Sequence, residues 1–166
     1  NGFIWLRHMR AANTAITRAN ARDLVDDFIT GKRDRDPVAA RPGVLARRLI
    51  SFLSHSPLLL EGADHDFYDR FIQHCGRSIR ELNFALLGPT SGLERLQAIL
   101  AMAVASLCLD GLGHFVGRTE RLLADELDLQ IMADGGHVSR NPRVLAELLL
   151  DLLPLREAYA GRGMEA

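Results

Sequence analysis

The densest cluster of residues able to do chemistry is the run ADGGHVSRNP, from Ala133 to Pro142. His137 is the residue type that moves protons near neutral pH. Arg140 carries a planar guanidinium that can clamp a carboxylate or sulfate through two parallel hydrogen bonds. Ser139 and Asn141 add polar side chains at neighbouring positions. A helix expected to start at Asn141-Pro142 would aim its free N–H groups and the positive end of its dipole at the same corner. The group reads as an anion-binding corner suited to an acidic sugar. Its substrate-binding candidates are His137, Ser139, Arg140 and Asn141, and His137 is the candidate for proton transfer. Half of the loop has a plainer explanation. Gly135 or Gly136 can take the left-handed conformation that ends a helix. Asn141 is a good N-cap, and Pro142 suits the first helical position. The competing reading is therefore a capped turn with solvated side chains.

Other chemical residues carry weaker signals. His55 lies between Ser54 and Ser56, but adjacency in sequence is not a nucleophile–base geometry. His65, His74 and His114 are isolated and read as surface or capping residues. Trp5 could stack on a sugar ring, with core packing the plainer role. Glu81 and Glu94 fall on separate helices, which leaves a carboxylate pair undetermined. Neither HExxH, an EF-hand loop, a P-loop nor GxSxG is present. Cys75 and Cys108 have neither a disulfide-framework nor a zinc spacing and read as buried thiols. No metal and no cofactor is expected. Six basic residues fall between Lys32 and Arg48, interspersed with Asp34 and Asp36. They read as a solvated loop and one helix face rather than a polyanion site.

The elements that must position the loop are helical throughout. Apolar spacing of three and four predicts helices over Phe3–Arg10, Asn13–Thr30 with Asn13 as N-cap and Gly31 as C-cap, and Val44–Ser54. Asp64 can cap a long helix with Tyr68, Phe71, Ile72, Cys75, Ile79, Leu82 and Leu86 inward. The helix Ser91–Leu109 has a stripe of large residues and a second face of Ala98, Ala101 and Ala105, so it should pack on two sides. Helices over His114–Ala133 and from Asn141 onward follow. In the last, Val144, Leu145, Leu148, Leu149 and Leu152 should be buried, and Pro154 should kink or end it. Short connections between such helices favour antiparallel hairpins.

The totals agree with one domain of ordinary size. The chain has 166 residues, 48% hydrophobic and 25% charged, with a net charge of −1. That balance gives no global pull toward nucleic acid. No apolar run reaches the length of a membrane span. The chain begins at Asn1 rather than Met, with residues that already read as helix. It is expected to be a fragment, and the absence of a signal peptide carries no information.

The stretch from about Arg118 to Leu153, with QIMADGGHVSRNP followed by LAELLLDLLPL, resembles the heparinase II/III-like polysaccharide lyases. Those proteins carry a similar DGGHFERSPxYH segment before an acidic-apolar helix. Weaker similarity runs through GLERLQAILAMAVASLCLDG, SHSPLLLEGAD and GFIWLRHMRA, most closely to a poorly characterised bacterial subgroup. The resemblance implies an all-α fold of antiparallel hairpins forming part of an incomplete (α/α) toroid over residues 1–166. It also implies a C-terminal β-sandwich domain beyond this chain, and a periplasmic compartment (cytoplasmic without it). The implied activity is β-elimination on uronic-acid polysaccharides, with an acidic polysaccharide or oligosaccharide as partner. Asp134, Gly135, Gly136, His137 and Pro142 match the family segment, with Asn141 in place of Ser. The family's Tyr and His fall at Val144 and Leu145, which cannot move a proton. Its Asn-His pair falls near Leu93 and Glu94, and no Asn-His pair occurs in the chain. Three functions are thus in competition: a lyase, a non-catalytic acidic-glycan-binding or envelope-assembly protein, and a helical scaffold for protein partners.

Overall fold

The computed structural model describes residues 2–31 and 37–163. Eight α-helices follow one another among them: α1 Leu6–Ala12, α2 Ala15–Thr30, α3 Pro42–Ser54, α4 Ser56–Leu60, α5 His65–Leu87, α6 Gly92–Cys108, α7 Val116–Gln130 and α8 Pro142–Ala160. A 3-10 turn, Gly113–Phe115, precedes α7. The all-α expectation holds. The β-type pairing among the described residues is an isolated antiparallel bridge between Ile131 and His137.

The two-faced helix of the sequence, α6, is the centre of the array. It packs against α3, α5, α7 and α8. Leu96, Ile99 and Leu100 are fully buried, each contributing about 1.5–3 kcal/mol through its loss of apolar surface to water. Ala98, Ala101, Ala103 and Ala105 are fully buried too. Their small side chains let neighbouring backbones come close. Gly43 of α3 continues this fit, since a Cβ there would lie 2.5 Å from the side-chain amide of Gln97 on α6.

The N-terminal segment is tied down by rings. Phe3 packs edge-on against Phe28 and Phe52, at centroid distances of 4.9 and 4.8 Å. The Ser51 hydroxyl donates to the Phe3 carbonyl at 2.8 Å. His74, expected at the surface or at a cap, instead lies buried beside Phe28 and Phe52. Spacing alone could not show this, because its helix face meets α2 and α3 only after folding. Trp5 is half-buried and packs on Phe3, the packing role.

Helix ends follow local chemistry with a few shifts. Asp64 caps α5, accepting from the Phe67 N–H at 2.7 Å. Thr14, not Asn13, caps α2 through a reciprocal box with Thr17, and Asn13 closes α1 in the left-handed region. Gly31 does end α2. α8 runs through Pro154 to Ala160. The carbonyl that loses its partner there is that of Leu150, on a half-exposed side of the helix where solvent can serve it. Tyr68 and Leu149 are exposed rather than inward, and Leu24 of α2 is exposed too. α2 buries only its Ala21, Val25 and Phe28 face, and α8 has a helix on one side only. Cys75 is buried as expected, and burial pushes its thiol up to about 12. Cys108 is exposed at the end of α6.

Candidate functional site

The loop between α7 and α8 is a tight hairpin. α7 ends at Gln130, before the expected Ala133, because the backbone turns early into cross-loop hydrogen bonds. Val138 N–H donates to the Gln130 carbonyl and Met132 N–H to that of Gly136, both at 2.8 Å. Gly135 N–H closes the turn onto Met132 O at 2.8 Å, with Gly135 at φ +79°, a conformation that favours glycine.

Of the polar side chains of this loop only that of His137 is buried; the others are exposed and bond within the turn. His137 is 4% exposed. Its Nδ1 accepts the Ser139 backbone N–H at 3.0 Å and lies 2.8 Å from Ser139 Oγ. An accepting Nδ1 puts the proton on Nε2, which therefore donates to Gln130 Oε1 at 2.9 Å. Gln130 Nε2 in turn donates to Glu126 Oε1 at 2.6 Å and to the Gly92 carbonyl at 2.8 Å. Glu126 Oε2 accepts from Arg95 Nε at 2.9 Å. The result is a chain of bonds from α6 through α7 into the loop. Both ring nitrogens of His137 are engaged inside the protein, so the proposed proton-transfer group has no position open to a substrate.

The other three candidates are also occupied. Ser139 Oγ accepts the Asn141 N–H at 3.3 Å while facing His137. Asn141 caps α8, its Oδ1 accepting from Arg143 N–H at 3.0 Å. Arg140 stands in the left-handed region at φ +53° and pairs with Asp134 at 2.5 Å, both exposed. That guanidinium, with the Gly136 N–H second, holds the Asp134 carboxyl below the usual carboxylate range. The four residues are brought together, but as the internal frame of a turn.

The remaining sequence candidates separate. Glu94 takes Arg41 at 2.6 Å, and Glu81 is exposed on α5. Of the basic run, Lys32, Arg33 and Arg35, with Asp34 and Asp36, lie outside the described residues. Arg41 is paired with Glu94, Arg47 with Glu147, and Arg48 lies buried over the Phe28 ring. Among the described residues no group of His, Cys, Asp and Glu could hold a metal ion. No helix among them is long and apolar enough to cross a membrane.

A groove that the sequence did not single out lies between α1 and α8. Its volume is about 390 Å³, within the range of ligand sites. α1 forms one wall, with Arg7 and Arg10; α8 forms the opposite wall, with Glu147, Leu150 and Asp151. Ile50, Val104, Leu107 and Leu155 make an apolar floor supplied by α3, α6 and α8. Arg143 and Arg47 together hold the Glu147 carboxyl below its usual range. Burial pushes the Asp151 carboxyl up, against the pull of Arg47 and Arg7. His55, also on the lining, donates from Nδ1 to the Ser51 carbonyl at 2.8 Å, and burial pulls its pKa down. The sequence signal was present as Arg7/Arg10 and Glu147/Asp151, each pair on one helix face. Nothing local says that the two faces oppose each other.

No family model matches the chain, and no solved structure does. FtsZ-localized protein C of Caulobacter vibrioides (strain NA1000 / CB15N) is similar to it, with 29% identity over 166 residues, taking in 97% of this chain. The chain spans only 28% of that relative's length. This similarity overturns the expectation of a polysaccharide lyase acting on uronic acids, since the relative is named for its localisation to FtsZ and not for any carbohydrate chemistry. The filled valences of His137 and Ser139 supply the physical counterpart of that correction.

Proposed function

We propose that this chain is a helical part of a cell-division-associated protein that is recruited to FtsZ. The observation that carries the reading is the similarity to FtsZ-localized protein C, which extends over nearly the whole chain rather than over one motif. The site geometry supports it from the other side. The loop that looked catalytic spends its polar groups on joining α7 to α8. The helices are further read as a segment of an (α/α) toroid, as the heparinase-like resemblance implies for the fold, with hairpins laid side by side around α6.

The test is localisation of the full-length protein, fused to a fluorescent protein, in its own host. Foci or bands that coincide with FtsZ and disperse when FtsZ is depleted are the expected result. A distribution that ignores FtsZ depletion removes the reading.

A further inference from the structure

The groove between α1 and α8 has a chemistry that the recruitment reading does not use. Its walls are of opposite character. Arg7 and Arg10 sit one turn apart on α1, exposed, and neither has an ion-pair partner among the described residues. Across from them, Glu147 is satisfied by Arg47 and Arg143, and Asp151 is half-buried beside Leu150. The floor is aliphatic. Ile4 and Leu150, both on the lining, are 57% and 51% exposed.

We infer that this groove binds a short peptide segment of a partner protein, one that carries aliphatic side chains flanked by acidic ones. The aliphatic side chains cover Ile50, Val104, Leu107 and Leu150. The acids answer the open guanidinium of Arg7 and the N–H groups of Arg10 that remain after its Nη1 donates to the Ser54 carbonyl at 3.3 Å. Asp151 on the other wall needs donors, and peptide N–H groups provide them at regular intervals. An acyl chain with a single charged end leaves Asp151 facing hydrocarbon, which is costly. A folded domain cannot enter a space of about 390 Å³. The groove thus selects an extended or singly turned segment with negative charge on its α1 side.

The inference rests on the groove and not on the relative's name, so its test contains no FtsZ. Random 12-residue peptides displayed on phage are selected on the purified full-length protein. The expected result is a consensus of Asp or Glu with Leu, Ile or Val. A synthetic peptide of that consensus should bind more than about tenfold more weakly to Arg7→Glu/Arg10→Glu, as expected for losing close charge pairs. Replacing the peptide's acids by Lys should restore binding to that variant. Leu150→Asp, an exposed position, should weaken the unmodified peptide independently. Dodecanoate serves as the acyl probe and should not displace it. No consensus, a consensus without acids, binding indifferent to all the variants, or displacement by dodecanoate would each overturn the inference. Failure here leaves FtsZ-dependent localisation untouched, and failure of localisation leaves the selection result untouched.

Discussion

At the scale of single residues, His137 shows how a chemically able side chain becomes structural. Its two nitrogens tie Ser139 to Gln130, and Gln130 ties the loop to Glu126 and Arg95. Removing the ring leaves a buried carbonyl oxygen of Gln130 and the Ser139 N–H without partners. His137→Ala should therefore cost about 1–3 kcal/mol of unfolding free energy, mainly for the buried Gln130 amide oxygen left unsatisfied, since Ser139 is exposed and water can serve its N–H. Urea denaturation of the full-length protein measures it, and a loss under about 0.5 kcal/mol would refute the role. The thiols make a second residue-scale case. Cys75 is buried with its pKa pushed up to about 12, whereas Cys108 is exposed. An alkylating reagent at neutral pH should label Cys108 in the folded protein and reach Cys75 only on unfolding, read by mass spectrometry of the digests. The linkage sign follows from the raised value. Above the unfolded thiol's 9.0, the unfolded chain releases a proton that native Cys75 still holds. Native stability from this group therefore falls as pH rises from about 9 toward 12, and Cys75→Ala should remove that share of the decline.

At the scale of elements, the α7–α8 hairpin depends on one backbone conformation and one cap. Gly135 at φ +79° has open space around its Cβ position, so Gly135→Ala tests conformation without a clash. It should cost about 1–2 kcal/mol. Asn141→Ala should remove about 1 kcal/mol by freeing the Arg143 N–H. Both are read by thermal melting, and equal stability of the Gly135 variant would contradict the turn geometry. Much of this level was legible in the sequence. Asp64, Gly31, Asn141 and Pro142 are local signals, and they end or begin helices where expected. The two-faced α6 was legible because a second stripe of alanines has no use on an exposed helix. What escaped was set by partners on other elements, whose placement the spacing does not give. His137 is silenced by Gln130 of α7, His74 is buried by rings on α2 and α3, and Leu149 is exposed because no helix covers that side of α8. The α1–α8 groove escaped for the same reason. Arg7 and Asp151 stand at opposite ends of the chain, and only the packing of α1 on α2 and of α8 on α6 brings them to one cavity.

At the scale of the whole molecule, the distribution of exposed apolar side chains decides how the chain behaves. Phe84 and Leu87, one turn apart near the end of α5, are 78% and 71% exposed. Leu149, Leu150 and Leu153 line the open side of α8, and Leu129 projects from α7. Scattered apolar residues are ordinary on a protein surface, but neighbours on one helix face form continuous patches that seek cover. The two patches lie on different helices, so covering one does not cover the other, and association can propagate rather than close. Expressed alone, the 166-residue chain should therefore self-associate, with a mass above 18.4 kDa that rises with concentration in light scattering behind size exclusion. Phe84→Lys/Leu87→Glu should lower that mass without changing helix content, and Leu149→Lys/Leu153→Glu should lower it further. The additivity distinguishes patch-driven association from unfolding, because a destabilised core would aggregate more with each substitution, not less. A monodisperse monomer with a cooperative melt from the unsubstituted chain would show that these faces need no cover.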